Sequence, residues 1–179
     1  MGITHSKKIE HIRKFVDDIH NSKQTVDVFN EVPRFTEQNI DVCEEFILPV
    51  KYGTVIKVYD VDTFTIMFYI PLDGLQTKIF KKSCRISGID GPELRTSKKT
   101  EKQIAVKGQK YLSDMILGKV VELRNVSEDK YGRILADVYI HDNDVSEILL
   151  RKKLVVKYDG GKKKVPRNWV KYNICGKMW

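Results

Sequence analysis

Hydrophobic and polar positions along the chain follow two different periods. Between Ile9 and Ile19, apolar residues recur every three to four positions, which predicts one amphipathic helix near the N-terminus. From Thr54 onward the chain becomes rich in Val, Ile, Phe, Tyr and Thr, as is typical of β-strands. This region predicts three sequential strands at residues 54–59, 63–70 and 78–86, joined by short turns.

Further elements follow these three strands. Asp144, with Glu147 three residues later, resembles the capped start of a short helix. The predicted elements are, in chain order, a helix at 101–117 ended by Gly118, strands at 120–124 and 133–140, a helix at 145–152 and an extended piece at 154–158. Five strands with a helix after the third is the order of a closed Greek-key barrel of the OB type. The predicted fold class is therefore mainly β with helices (α+β), with an N-terminal helical extension.

The domain organisation is predicted in three parts. Residues 1–49 form an extension that contains the amphipathic helix, residues 50–160 form the barrel domain, and residues 161–179 form a basic C-terminal tail. Gly160, Gly161 and Pro166 interrupt the last part, so we expect it to be loosely ordered.

Length and composition exclude several classes of protein. The chain has 179 residues and a mass of 20.8 kDa, which suits one compact domain with a modest extension. It has no apolar run of about 18 residues and no apolar signal-peptide core. We therefore expect an intracellular protein of the cytoplasm or nucleus that is not secreted. Cys43, Cys84 and Cys175 show no disulfide or zinc spacing, and we expect reduced thiols.

The positive charge lies in the body of the chain. Residues 1–48 hold 6 Lys and Arg against 9 Asp and Glu, whereas residues 49–179 hold 26 against 15. Such a surface attracts polyanions, of which nucleic acid is the first choice and an anionic membrane the second. A solvated basic surface without a partner is the alternative.

Charged residues gather at the predicted ends of strands, where barrels expose binding residues. The three places are the run Asp60-Val61-Asp62-Thr63, the run from Arg85 to Glu93, and the run Asp129-Lys130-Tyr131-Gly132-Arg133. Taken singly, each has a plain alternative: Asp62 as a turn cap, Arg85 and Glu93 as a surface ion pair, Arg133 as one more basic surface residue.

Together, residues 56–63, 85–93 and 129–133 resemble the three signature blocks of the staphylococcal (thermonuclease-like) nuclease family, in the same order and at similar spacing. The resemblance covers about residues 50–160 and implies the OB-type barrel with helices. It also implies Ca²⁺-dependent hydrolysis of phosphodiester bonds in DNA and/or RNA, with 3′-phosphate products.

The resemblance assigns roles that suit the residue types. Asp62, Asp90 and the main-chain carbonyl of Gly91 are the implied ligands of Ca²⁺, a hard cation that prefers oxygen. The guanidinium groups of Arg85 and Arg133 match phosphate oxygens and stabilise developing charge, and Glu93 is the candidate base for the attacking water. Secondary candidates for the nucleotide pocket are Lys130, Tyr131 and Tyr158, the last of which has a barrel-closing aromatic as its alternative.

The chain departs from the family pattern at three places. Val61 stands where the family usually has glycine, so the turn must either avoid positive φ or carry strain. Gly91 replaces a usual threonine, which threatens the rate or the metal affinity. The family's long C-terminal helix has no predicted counterpart in the tail.

The first residues carry a separate motif. Met1-Gly2-Ile3-Thr4-His5-Ser6 fits the pattern for N-myristoylation at Gly2, and the basic body would supply the second signal that membrane binding needs. The sequence therefore predicts a monomeric Ca²⁺-dependent nuclease acting on DNA and/or RNA, with no protein partner inferred and a membrane tether through N-myristoyl Gly2. The alternatives are a catalytically inactive nucleic-acid-binding module of the same fold and a lipid-anchored adaptor.

Overall fold

A computed structural model describes residues 43, 46–70 and 78–178 of the chain. The chain divides into two units, residues 1–45 and residues 46–179, and the account below concerns the second. Gly2 and the helix predicted at 9–19 lie outside the described residues.

The second unit consists of strands with helices inserted between them. Over the described residues there are eight strands and three helices. In chain order they are β1 (Tyr52–Val58), β2 (Thr63–Ile70), β3 (Lys78–Ile86), β4 (Ile89–Asp90), α1 (Lys99–Ile116), β5 (Val120–Glu128), β6 (Ile134–Ile140), β7 (Asn143–Asp144), α2 (Val145–Arg151), β8 (Val156–Lys157) and α3 (Trp169–Cys175).

The five long strands close into a barrel. Antiparallel pairing gives the order β3-β2-β1-β5-β6, and β3 then pairs in parallel with β6, with Cys84 opposite Ile134. β7 adds to β6, and β4 pairs with β8 in a separate two-stranded ribbon. The structure confirms the predicted five-stranded, OB-type α+β barrel with a helix after the third strand.

Alternation along the strands builds the core. Every second residue of β6 is buried from Ile134 to Ile140, and in β2 Phe64 and Ile66 have no exposed surface. α1 covers the barrel through Ile104, Leu112 and Ile116, which recur at helical spacing. No helix in the described ranges is both long and apolar enough to span a bilayer.

The bounds of the elements differ from the predicted ones mainly in β5. The expected strand ended at residue 124, whereas β5 continues to Glu128 because Ser127 and Glu128 pair with β6 beyond an irregularity at Asn125, whose φ is 51°. The predicted start of α2 is confirmed, since the side chain of Asp144 accepts hydrogen bonds from the backbone N–H groups of Ser146 (2.7 Å) and Glu147 (3.2 Å).

The expectation of a loosely ordered tail is wrong for its last part. Asn168 caps α3 by accepting a hydrogen bond from the Lys171 N–H at 3.0 Å, and Gly176 ends the helix at a φ of 76°. Trp169 is 3 % exposed and packs edge-on against Tyr172. Burial of one large aromatic side chain such as Trp169 lowers the free energy of the folded state by several times RT, which is enough to stabilise α3, a helix too short to form alone.

The three cysteines are free thiols with different exposure. Burial raises the pKa of Cys84 to about 12, and the nearby charge of Arg133 opposes that rise only in part. We expect a thiolate-selective reagent to modify Cys43 and Cys175 in the native protein at neutral pH, and Cys84 only after denaturation. Mass spectrometry of the labelled protein checks this, and three labels on the native chain would contradict the buried position of Cys84.

Candidate active site

Barrel closure brings the ends of three strands together. Arg85, near the end of β3, lies opposite Thr63 at the start of β2 and opposite Leu135 near the start of β6. The backbone N–H of Ile86 donates to the Asp62 carbonyl at 2.9 Å, which ties the β1–β2 turn to this edge. Side chains that are far apart along the chain therefore share one rim of the barrel.

The short ribbon adds the remaining loops. Asp90 of β4 lies opposite Val156 of β8, and the Tyr158 N–H donates to the Gly88 carbonyl at 2.9 Å. The segment that follows β8 therefore begins beside the β3–β4 turn at Gly88, and farther along it the Nζ of Lys163 lies 3.8 Å from Glu93 Oε1.

A cleft of about 880 Å³ opens at this rim. Of the nine predicted site residues in the described part, eight line it: Asp62, Arg85, Gly91, Glu93, Lys130, Tyr131, Arg133 and Tyr158. Asp90, only 3 % exposed, lies behind the cleft wall and reaches the cleft through its ion pairs. The structure thus gathers all nine around one space, while Gly2 lies outside the described residues.

Arg85 is the centre of the charge network. Its Nη1 lies 3.1 Å from Asp62 Oδ2, and its Nη2 donates to Asp90 Oδ1 at 3.0 Å and to the Ile89 carbonyl at 3.2 Å. Burial works against the charged form, but attraction to the two carboxylates outweighs it and raises the pKa of Arg85. No ion pair joins Arg85 to Glu93 among the described residues, so the surface-pair alternative for these two is wrong.

Asp62 is engaged on both oxygens. Thr63 Oγ1 donates to Oδ1 at 2.8 Å, and the Gly91 N–H donates to Oδ2 at 3.3 Å. The second bond joins the two loops that carry the implied metal ligands.

Asp60 belongs to the cleft, although the sequence analysis did not select it. Its Oδ1 is buried and lacks a hydrogen-bond partner among the described residues. Burial, and then repulsion from Asp62 and Glu93, raise its pKa to about 6. Its position two residues before Asp62, in the same run, was the available signal.

Glu93 presents its side chain to the cleft. The side chain is 64 % exposed, and the backbone N–H donates to Glu101 Oε1 of α1 at 3.3 Å. Thr96 Oγ1 donates to the other oxygen of Glu101 at 3.1 Å, so α1 holds this loop at two points. The carboxylate is therefore accessible to water on a loop that is held in place.

Arg133 is oriented by Asp129, another residue that the sequence analysis left out. The Arg133 Nε donates to Asp129 Oδ2 at 2.7 Å, while Oδ1 accepts from the N–H groups of Tyr131 (2.9 Å) and Arg133 (3.0 Å). Burial alone would raise the pKa of Asp129, but these hydrogen bonds outweigh it and lower the pKa. The available signal was that Asp129 begins the same five-residue run.

Tyr131 offers an exposed aromatic surface beside these charges. Tyr131 is 71 % exposed. Lys130 Nζ lies 5.1 Å and the Arg133 guanidinium carbon lies 5.4 Å from the centroid of the Tyr131 ring. A ring flanked by cations is suited to stacking on a base whose phosphates lie next to it.

Lys163 also reaches the site, and no spacing in the sequence indicated it. Its Nζ lies 2.8 Å from Asp90 Oδ1 and 3.8 Å from Glu93 Oε1. The partial burial of this ammonium disfavours its charge, but the bond to Asp90 prevails and raises the pKa of Lys163.

Val61 and Gly91, the two departures from the family pattern in this site, pack against each other. Val61 is 1 % exposed, and a Cβ added at Gly91 would overlap its Cγ1, while one at Gly108 of α1 would lie 2.7 Å from its Cγ2. The non-glycine residues with positive φ in the described part are Asn125, His141, Asp142 and Lys153, so Val61 avoids the strained conformation. Gly91 leaves room for the valine that replaces the usual glycine.

The donor chemistry of the site suits a hard cation. Two carboxylates, Asp62 and Asp90, meet at Arg85, and the unpartnered oxygen of Asp60 lies in the same cleft. Within the described residues, no three His, Cys, Asp or Glu side chains are already grouped as a metal-holding cluster. Main-chain oxygen, as at Gly91, would have to complete the coordination.

Comparisons with known proteins agree with the fold. The model of the staphylococcal nuclease homologue family matches residues 83–168, which include every predicted site residue of the barrel except Asp62. The chain is 34% identical over 79 residues to the "Probable endonuclease LCL3" of Komagataella phaffii, covering 42% of this chain and 35% of that protein. It is 34% identical over 74 residues to the "Staphylococcal-like nuclease CAN1" of Arabidopsis thaliana, covering 41% of this chain and 21% of that protein. The chain thus spans about a third and a fifth of the lengths of these relatives, and its residues 83–168 resemble the staphylococcal nuclease homologue family.

Proposed function

We propose that this barrel hydrolyses phosphodiester bonds of DNA and/or RNA with Ca²⁺ as cofactor and releases 3′-phosphate products. The observation that carries the proposal is the convergence of Arg85, Arg133 and the accessible carboxylate of Glu93 on one cleft beside buried Asp62 and Asp90. The names of the two relatives, an endonuclease and a nuclease, support the same chemistry.

The two arginines would act on the phosphate. Arg85 is anchored by Asp62 and Asp90, and Arg133 is anchored by Asp129, so both guanidinium groups are oriented before substrate arrives. Oriented donors stabilise the charge that develops on the phosphoryl oxygens without a cost of reorganisation at the moment of reaction. Glu93 would accept the proton of the attacking water, since its carboxylate is open to solvent on a loop held by Glu101.

The cation would be held by Asp62, Asp90 and the main-chain carbonyl of Gly91. When bound, Ca²⁺ offsets the negative charge of phosphate and carboxylates in one place. Lys130, Tyr131 and Tyr158 would bind the nucleotide, through a cation for phosphate and aromatic rings for bases.

The experiment that tests the function is cleavage of single-stranded DNA and RNA by the purified full chain, with Ca²⁺ and with chelator. We expect calcium-dependent cutting with 3′-phosphate ends. The principal alternative is an inactive binding module, for which the basic body of the chain and the exposed Tyr131 ring beside Lys130 would suffice. Salt-sensitive binding of nucleic acid without cleavage would contradict the nuclease proposal and support the binding module.

We propose further that the chain is an intracellular monomer acylated at Gly2, on the strength of the motif Met1–Ser6. Gly2→Ala is expected to abolish incorporation of a labelled myristate analogue and to move the protein from the membrane to the soluble fraction. Thr4→Ala, which leaves both Gly2 and Ser6 of the motif in place, is the comparison variant. An unchanged distribution of the Gly2→Ala variant would exclude a lipid tether, and with it the adaptor alternative.

A further inference from the structure

Lys163 occupies a position in the site that the proposed reaction leaves unexplained. Its ammonium is an ion-pair partner of Asp90 at 2.8 Å and lies 3.8 Å from Glu93. The Asp90 side chain is only 4 % exposed, whereas that of Lys163 is 49 % exposed. A buried carboxylate thus has a cation that comes from the surface of the molecule.

We propose that Lys163 is a tethered cation that competes with the divalent ion for Asp90 and so sets the cation affinity of the site. This inference rests on the proposed metal-dependent function and adds a residue that controls it.

The competition follows from the contacts of one oxygen. Asp90 Oδ1 accepts from Arg85 Nη2 at 3.0 Å and from Lys163 Nζ at 2.8 Å. A hard cation requires the same carboxylate, and like charges a few ångströms apart repel each other strongly where the surroundings are partly buried. The ammonium and the divalent ion therefore cannot share this carboxylate without loss of binding free energy.

Of the two protein cations at Asp90, Lys163 is the one placed to leave. Arg85 lies on β3 and has two further partners, Asp62 and the Ile89 carbonyl. Lys163 lies in the segment 158–168, which contains neither helix nor strand, and residues 159–165 are all exposed. Moving residues 159–165 breaks few contacts besides those of Lys163, whereas buried Pro166 and the bond from the Tyr158 N–H to Gly88 hold the two ends of the segment. Divalent ion binding is therefore expected to release residues 159–165.

The test measures Ca²⁺ binding directly, without nuclease activity as the readout. Isothermal titration of the chelator-treated full chain with CaCl₂ is compared between wild type, Lys163→Met and Lys162→Met. Lys162 is exposed, makes no ion pair among the described residues and loses the same charge on substitution. We expect the Kd of Lys163→Met to fall about 3- to 10-fold and that of Lys162→Met to change less than about 2-fold.

Hydrogen exchange on the wild-type protein supplies a second readout that needs no variant. Amides of residues 159–165 are expected to exchange faster with Ca²⁺ than with chelator, because the ion displaces the lysine that ties the segment to Asp90. The core strand β6 is the internal reference and should not change.

The outcomes separate this inference from the proposed nuclease. Equal Kd values for wild type and Lys163→Met, or equal tightening in both lysine variants, would overturn the competition and leave the nuclease proposal standing. Tighter calcium binding by Lys163→Met alone, in a chain that cuts no nucleic acid, would support the competition and overturn the nuclease. Absence of calcium binding in wild type and variant alike would overturn both.

Discussion

Glu93→Gln is expected to lower calcium-dependent cleavage of single-stranded DNA by at least about 10²-fold, which corresponds to about 2.7 kcal/mol in the barrier. The amide keeps the size of the side chain and removes its ability to accept a proton. Because the side chain is 64 % exposed and its loop is held through the backbone by Glu101, the substitution should leave the fold intact. Rates with excess Ca²⁺ and the melting temperature are the measurements.

Arg133→Lys should cost a similar factor for a different reason. The lysine keeps the charge but loses the planar group that bonds to Asp129 and presents its remaining donors to phosphate. Two exposed residues of α2 that do not line the cleft serve as matched controls, Glu147→Gln and Arg151→Lys, and neither should change the rate. Near-normal cleavage by Glu93→Gln or Arg133→Lys would remove that residue from the chemistry.

The second large effect concerns stability. Gly91→Ala is expected to destabilise the barrel by about 2–3 kcal/mol, because the new methyl group overlaps Val61 Cγ1 in a place where Val61 is almost completely buried. In a chain of this length such a loss lowers the melting temperature by about 4–12 °C. Urea unfolding and thermal melting of the two proteins measure the loss.

A double-mutant cycle identifies the cause. Val61→Ala removes both methyl groups that fill this space, so Val61→Ala with Gly91→Ala should be more stable than Gly91→Ala alone, with a coupling of at least about 1 kcal/mol. Gly88→Ala tests backbone conformation instead, since Gly88 has a φ of 73° and nothing within 4 Å of an added Cβ. Additive losses in the cycle would show that Val61 and Gly91 are not packed against each other.

The packing of Val61 against Gly91 gives these two departures from the family pattern a shared explanation. Read separately along the chain, a valine in a tight turn and a glycine in a metal-binding loop both suggest damage to the site. In the structure the valine avoids positive φ, and its side chain fills space between Gly91 and Gly108 of α1. The Asp62 and Asp90 carboxylates still meet at Arg85.

The sequence by itself determined the barrel and most of the candidate site. Dense β-branched and aromatic residues marked β2 and β3 to the residue. Buried side chains alternate along most of β2, but in β3 only from Cys84 to Ile86. The charged runs at the ends of strands contain Asp62, Arg85, Glu93 and Arg133, since the strand ends and loops at one rim supply the polar groups of such a fold. The sequence pattern was sufficient to predict an element or a site residue wherever residues close together in the chain also lie close together in the fold.

Only the tertiary structure decided features that depend on distant partners. The second half of β5 is a strand because β6 pairs with it, although its own residues are polar, and α3 forms where Trp169 finds a buried surface. Lys163 lies 73 residues from Asp90, so their ion pair has no period or spacing that marks it. Packing and long-range charge pairing depend on which surfaces the fold brings together, and a linear pattern contains no record of that.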